Sequence, residues 1–124
     1  MDNHTIAKTI SQIADALEIL GENRFRVNAY RRAAETVEAA THNLTVLSKE
    51  QLMEIPGIGQ DLANKIVELG KTGKCKECEQ LKKKMPEGLF EVLAVAGMGP
   101  KTTALVWKKF GVKNLSVLEK LLVS

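Results

Sequence analysis

The stretch IPGIGQDLANKI, Ile55 to Ile66, places two glycines on either side of one apolar residue, between a proline and a helical pattern. The stretch VAGMGPKTTALV, Val95 to Val106, repeats this arrangement forty residues later. Ile58 aligns with Met98 between the glycines. Each copy predicts a helix, a sharp hairpin and a second helix, so the same element is built twice in one short chain.

Composition favours a small, soluble, helical protein with an aliphatic core. The 124 residues are 44% hydrophobic and only 4% aromatic, and the formal net charge is +3. This length suits one small domain, or two very small ones that share a core. No apolar run approaches the length of a membrane span and no leader-like segment opens the chain, so we expect a cytoplasmic protein without a membrane partner. The mild basic excess suits a phosphate-bearing partner.

Apolar residues recur at helical spacing along the chain, which predicts an all-α fold. The first helix is expected to end at Gly21, and a short third helix at about 49–54 follows a capping box that begins at Ser48. Further helices are predicted at about 24–40, 60–69, 74–84, 89–94, 100–110 and 115–122, with Gly70 closing the helix at 60–69. We expect residues 1–84 to hold the first hairpin and residues 85–124 the second.

The glycines of each hairpin suggest how it would act. Glycine permits positive φ and leaves the backbone bare, while the apolar residue between the two glycines can pack into the core. Amide groups at the start of the next helix can then reach a phosphate, assisted by the helix dipole. Such contacts touch no base edge, so they predict sequence-independent DNA binding. The candidate residues are Gly57, Ile58 and Gly59 in the first copy, and Gly97, Met98, Gly99 and Lys101 in the second. An ordinary helical hairpin with a glycine-rich turn is the alternative.

Basic residues add a second binding signal. ENRFRVNAYRR, Glu22 to Arg32, interleaves four arginines with two aromatic residues. Arginine can bind phosphate through two hydrogen bonds, and an aromatic ring can stack on an unpaired base. The candidates for DNA binding are Arg24, Phe25, Arg26, Tyr30 and Arg31. Six lysines between Lys71 and Lys84 could also meet DNA, although a solvated helix face explains them equally well.

Cys75 and Cys78 form the motif CKEC. Zinc needs about four ligands, and the two histidines lie far away in the sequence. A redox CxxC is expected beside a βαβ unit, which the sequence does not predict. We therefore interpret both cysteines as apolar positions of one helix.

Four segments in this order, GENRFRVNAYRRAAETVE, LMEIPGIGQDLANKIVEL, TGK and AGMGPKTTALVWKKFGV, resemble the start of family X DNA polymerases, the relatives of DNA polymerase beta. The resemblance covers about residues 3–122. It implies the all-α fold of the DNA polymerase beta amino-terminal domain, a lyase-like domain followed by a small helical subdomain with the second helix-hairpin-helix motif. It also implies a monomer that binds gapped or nicked DNA in repair, including base excision repair.

The resemblance further implies a monovalent cation, Na⁺ or K⁺, at each hairpin and no organic cofactor. Backbone carbonyls would hold these ions. The matching residues are Met53, Ile55 and Ile58 at the first hairpin, and Leu93, Val95 and Met98 at the second.

In lyase-active relatives a lysine at the position of Lys65 forms a Schiff base with a 5′-deoxyribose phosphate. Arg26 and Tyr30 match positions that bind the 5′-phosphate. Asp61 and Glu77 stand where polymerase beta has further lysines. A carboxylate four residues before Lys65 favours the protonated amine, whereas a nucleophile needs a neutral one.

Polymerisation by this chain is excluded, because nucleotidyl transfer needs clustered carboxylates that hold two metal ions. The chain has three aspartates, with no D-x-D pair. The main hypothesis is therefore a DNA-binding module of a family X polymerase. The alternatives are a 5′-deoxyribose phosphate lyase acting through Lys65 and a helix-hairpin-helix module that binds another protein.

Overall fold

The computed structural model describes residues 1–86, 88–95 and 99–123. These ranges contain helices and turns but no strand, which confirms the predicted all-α fold. In chain order the helices are α1 (Asn3–Ile19), α2 (Arg24–Ala39), α3 (Lys49–Met53), α4 (Gln60–Thr72), α5 (Lys76–Lys83), α6 (Leu89–Val95), α7 (Pro100–Phe110) and α8 (Leu115–Val123). A 3₁₀ turn at Leu44–Val46, which the sequence analysis did not predict, lies between α2 and α3.

Helices α1 and α2 form an antiparallel pair at the centre of the fold. The Asp2 carboxylate caps α1 by accepting the Thr5 amide at 2.8 Å, and Asn23 caps α2 by accepting the Phe25 amide at 2.7 Å. Gly21, at φ 75°, reverses the chain between them as predicted. The apolar stripes of the two helices are buried against each other; their members include Ile6, Ile10, Ile13 and Leu17 of α1, and Val27, Tyr30, Ala33 and Val37 of α2.

Two predicted helix boundaries were wrong. Helix α4 continues through Gly70 and ends at Thr72, and its C-cap Gly73 takes the left-handed conformation at φ 70°. A Cβ on Gly70 would lie 3.1 Å from the Thr45 side chain, so glycine at this position lets the 3₁₀ turn pack against α4. Helix α5 begins at Lys76 rather than residue 74, because Cys75 is its N-cap and is extended. Packing across the chain therefore overrides the local stop signal at Gly70.

Buried apolar residues form a large core and a smaller one. The large core extends from α1 through Met85 to Leu89. The smaller one joins α6, α7 and α8 through Val92, Val106, Val112 and Leu118. Phe90 and Trp107 pack against the large core, and α7 contacts α1, so the second hairpin's helices lie on the first part of the chain. The proposed division near residue 84 stays a prediction.

Among the described residues, none of the helices is both long enough and apolar enough to cross a membrane.

Candidate nucleic-acid interface

The first hairpin is fixed to the core by its central residue. Ile58 is only 3% exposed, which confirms that the apolar residue between the glycines packs inward. The Ile58 amide donates to the Ile55 carbonyl at 3.1 Å and closes the turn. Gly57 has φ +92°, a conformation that strains any residue with a Cβ, so glycine is required there.

Gly59 serves a different purpose. It is extended, with φ −92° and ψ −171°, so the predicted need for positive φ holds at Gly57 but not at Gly59. No heavy atom of the described residues lies within 4 Å of the place where a Cβ on Gly59 would stand. Gly59 is also the N-cap of α4 and offers no side chain to the first amides of that helix. The result is a bare backbone surface at a helix N-terminus, which suits an anion.

The second hairpin is described in part. Gly97 and Met98, two of its predicted binding residues, lie outside the described residues. Gly99 is extended at φ −73° and ψ 165°, and like Gly59 it has open space where a Cβ would stand. Pro100 then starts α7, and Lys101 is exposed in its first turn. Where both copies can be compared, the glycine before the second helix therefore presents the same bare backbone.

The start of α2 lies beside the start of α4. An Arg26 guanidinium nitrogen lies 3.5 Å from a carboxylate oxygen of Asp61, which is in the first turn of α4. Phe25 precedes Arg26 and is 85% exposed, the most exposed large apolar side chain among the described residues. Arg24, at the first position of α2, is also exposed. An exposed aromatic ring therefore lies at the start of α2, next to a guanidinium that reaches the first turn of α4.

Five side chains from α2, α4 and α5 contact one another here, and we call them the charged network: Arg26, Tyr30, Asp61, Lys65 and Glu77. The Lys65 ammonium donates to Asp61 at 3.0 Å and forms a 2.6 Å ion pair with Glu77. The Tyr30 hydroxyl donates to Asp61 at 2.6 Å, and Arg26 forms a short ion pair with Glu77. Arg26 and Lys65 also lie over the Tyr30 ring, 5.3 and 5.9 Å from its centre. Two cations and two carboxylates leave the network formally neutral.

The network keeps Lys65 protonated. Burial by itself lowers the pKa of Lys65, but the hydrogen bonds to Glu77 and Asp61 outweigh burial and raise its pKa well above the ordinary value. Burial would likewise raise the pKa of Asp61, yet the hydrogen bonds from Tyr30 and Lys65 bring it below the usual range. Burial, then the bond to Asp61, raises the pKa of Tyr30. The amine that would act as a nucleophile is thus held as an ammonium ion.

Arg31, a predicted DNA-binding residue, joins α1 to α2. Its guanidinium donates to Asp15 at 3.0 Å and to Glu18 at 3.1 Å. Burial raises the pKa of Asp15 despite the bond to Arg31. The side chain of Arg31 therefore has a structural role that the sequence analysis did not foresee.

All five members of the charged network are residues to which the sequence or the resemblance points, but the sequence predicts their arrangement only in part. The i, i+4 spacing predicted the contact between Asp61 and Lys65. The ion pairs of Glu77 with Lys65 and Arg26 join different helices, and no local sequence pattern predicts them. In the second hairpin, Leu105 aligns with Lys65 but is 47% exposed, whereas Lys65 is 8% exposed. Gly59 and Gly99 are thus both extended, but the second copy lacks the lysine of this site.

The first hairpin also offers the donors that a monovalent cation needs. Met53 ends α3, and Ile55 and Ile58 lie in the hairpin, so their carbonyls supply uncharged oxygen ligands. The Ile55 carbonyl accepts one hydrogen bond and keeps a second lone pair. The cation at the first hairpin stays a prediction. At the second hairpin the backbones of Leu93 and Val95 belong to α6, while Met98 lies outside the described residues.

Two comparisons relate this chain to known proteins. The family model of the helix-hairpin-helix domain matches residues 1–75. Over 120 residues the chain is 32% identical to the DNA polymerase/3′-5′ exonuclease PolX of Bacillus subtilis (strain 168). That match covers 97% of this chain but 21% of the relative, so the chain spans about a fifth of the relative's length. Both similarities agree with the resemblance found in the sequence.

Proposed function

We propose, from the premise that the chain belongs to the helix-hairpin-helix domain family, that it binds gapped or nicked DNA independently of base sequence. This proposal rests on the bare backbone at Gly59 and on the exposed ring of Phe25, whose neighbour Arg26 reaches the first turn of α4. Backbone amides at Gly59 would meet a phosphate, and Phe25 would stack on a base.

The hairpin and the Phe25 ring would contact different features of DNA. A phosphate is present at every step of a duplex, so the hairpin alone does not discriminate between DNA structures. A base is available for stacking on Phe25 only where it is unpaired. DNA with a gap, a nick or a single-strand junction supplies both within a short distance, and this combination supports the proposed preference.

In a family X polymerase, such a domain would hold DNA while another part of the protein catalyses nucleotidyl transfer. We place the chain in this role in DNA repair because gaps and nicks are repair intermediates. A monovalent cation, held by the carbonyls of Met53, Ile55 and Ile58, would add positive charge beside the phosphate. Arg24 and Lys101, both exposed, would add further cations to the DNA-facing surface.

The test is the binding of labelled DNA by wild type and Phe25→Ala. We expect wild type to prefer DNA with a one-nucleotide gap over intact duplex of the same length. Phe25→Ala should weaken gapped-DNA binding by about 1–3 kcal/mol, the usual contribution of one stacked base, and should affect duplex binding little. Fluorescence anisotropy measures both affinities.

Phe110→Ala is the matched control, because Phe110 is another exposed ring, 57% accessible, at the far end of α7. It should leave both affinities unchanged. Equal losses in the two variants, or equal wild-type affinity for gapped and intact DNA, would contradict the proposal.

The charged network opposes the lyase alternative. An amine must lose its proton before it attacks a carbonyl carbon, and the bonds to Asp61 and Glu77 hold the proton on Lys65. We therefore expect borohydride trapping on 5′-deoxyribose phosphate DNA to give no more adduct for wild type than for Lys65→Arg. That variant keeps the positive charge but forms no Schiff base. An adduct that wild type gives and Lys65→Arg lacks would establish the lyase instead.

A further inference from the structure

Cys75 precedes α5 instead of lying within it, which corrects the interpretation drawn from the sequence, although both cysteines do pack in or against the apolar core as expected. Cys75 is the extended N-cap of α5, and Cys78 lies in the first turn. The Cys75 sulfur accepts the Cys78 amide at 3.3 Å, so the Cys75 side chain already points at the residue with which it could bond. Both cysteines are free thiols in this structure.

The chemical surroundings of the two thiols differ. The Cys75 sulfur lies at the start of α5 and accepts a backbone amide there. Burial raises the pKa of Cys78 to about 12, with further contributions from the neighbouring Cys75 thiol. Cys75 is therefore assigned as the sulfur that attacks the oxidant, and Cys78 as the thiol that then attacks Cys75.

Small molecules can reach the pair through a cavity of about 820 Å³ that both cysteines line. The cavity lies between α1, α5 and the start of α6, with Gln12 and Phe90 on its walls and Lys74 and Lys82 among its polar groups. Cys75 itself is 2% exposed, so its sulfur is closed to a bulky protein oxidant, and a small hydroperoxide would have to enter through this cavity.

We propose that Cys75 and Cys78 are a redox modification site, at which a hydroperoxide converts the two thiols into a reversible intramolecular disulfide. The Cys75 thiolate attacks one oxygen of hydrogen peroxide, the O–O bond breaks, and the departing hydroxide takes up a proton to become water. Cys75 is left as a sulfenic acid. The Cys78 sulfur then attacks the Cys75 sulfur, and the sulfenic hydroxyl leaves with the Cys78 proton as a second water. Two thiols lose two electrons, and the peroxide gains them.

Glu77 connects the cysteine pair to the charged network. Glu77 lies between the two cysteines in the first turn of α5, and its carboxylate pairs with Lys65 and Arg26. The disulfide would thus form in the turn that supplies one carboxylate of the charged network. The modification itself is independent of whether the protein binds DNA.

The experiment treats the whole chain with hydrogen peroxide and measures its mass and its free thiols. We expect the loss of two hydrogens, the disappearance of both free thiols without dimer formation, and full recovery with dithiothreitol. Peptide mapping should find Cys75 joined to Cys78. Persistence of both thiols, stable sulfinic acid at either residue, or a disulfide between chains would overturn the proposal.

Single-cysteine variants test the order of events. Cys78→Ser keeps the thiol at the helix N-terminus, so dimedone should label its sulfenic acid at Cys75 after peroxide treatment. Cys75→Ser preserves the helix cap, since serine is a good N-cap, and should give much less labelling at Cys78. Circular dichroism verifies that each variant is folded. Labelling of Cys78 without labelling of Cys75 would contradict the assigned nucleophile.

Discussion

Lys65 belongs to a helix that the sequence predicts well, yet its chemistry is set by residues from elsewhere in the chain. Asp61 comes from its own helix, Tyr30 from α2 and Glu77 from α5. A buried amine without such partners would lose its proton more easily. With two carboxylates in contact it keeps the proton and links three helices. The same side chain can thus be a nucleophile or a structural cation, and its contacts decide which.

This arrangement predicts how the stability of the protein depends on pH. The pKa of Asp61 is lowered from 3.8, so its stabilisation is present above about pH 3.8 and is lost as the pH falls below that value. The pKa of Lys65 is raised from 10.5, so its stabilisation is present below pH 10.5 and is lost as the pH rises beyond it. Denaturant unfolding of wild type and Asp61→Asn across this range measures both effects.

We expect the free energy of unfolding of Asp61→Asn to lie below that of wild type near neutral pH, with the difference shrinking in acid. Glu35→Gln is the control, because Glu35 is an exposed carboxylate on α2 outside the charged network. It should change stability little at any pH. A difference between wild type and Asp61→Asn that stays constant into strong acid would mean that the Asp61 carboxylate is not ion-paired.

At the level of elements, one hairpin uses its two glycines for unrelated physical reasons. Gly57 takes a left-handed conformation that lets the chain turn after α3. Gly59 is extended and leaves the start of α4 uncovered. Ile58 lies between them and fixes the hairpin in the core. The folding function and the binding function of the element are therefore separable.

Valine substitutions should separate these two functions. Gly57→Val forces a β-branched residue into positive φ and should lower the free energy of unfolding by about 1–3 kcal/mol. Gly59→Val meets no steric obstacle and should change stability by less than about 0.5 kcal/mol, while its side chain blocks the approach of a phosphate. We expect roughly a tenfold loss of DNA affinity for Gly59→Val, equivalent to about 1.4 kcal/mol.

Thermal unfolding and DNA titration of the two variants provide the measurements. Gly73→Val, a third glycine substitution, lies at the far end of α4 and also has positive φ. Gly73→Val should lower the free energy of unfolding as Gly57→Val does, but it adds no side chain at the hairpin. Unchanged DNA affinity in a folded Gly59→Val would show that the bare backbone at this hairpin does not contact DNA.

For the molecule as a whole, the net charge is +3, and some of its positive charge is paired within the protein. Arg26, Lys65 and Arg31 all make ion pairs within the protein. We therefore expect DNA binding to depend on backbone amides and on exposed cations such as Arg24 and Lys101 rather than on these three side chains. Such a surface suits a domain that holds DNA without reading its sequence.

The salt dependence of binding tests this picture. If the two hairpins and the exposed cations neutralise roughly four phosphates, log K should fall with log salt concentration at a slope of about −3 to −4. Titrations of gapped DNA at several salt concentrations measure the slope. The protein-interaction alternative predicts no DNA complex or one that salt barely affects, and either result would favour it.

Much of the fold follows from local pattern. Helical spacing of apolar residues predicted the all-α architecture, and the repeated glycine hairpin predicted an inward Ile58 and a bare backbone before α4. These features depend on interactions within a few residues, where side-chain spacing and backbone freedom act directly. The capping box at Ser48, whose hydroxyl accepts the Gln51 amide, was predicted for the same reason and is present.

The sequence by itself thus determined the helical architecture, the first hairpin with its inward Ile58, and the candidate DNA-facing residues. Only the tertiary structure decided that Glu77 pairs with Lys65 and Arg26, that Arg31 joins α1 to α2, and that α4 continues past Gly70. The residues in those ion pairs are 12 to 51 positions apart, so their contacts depend on how helices pack. Helix packing angles and depths arise from the whole core, and no short stretch of sequence encodes them.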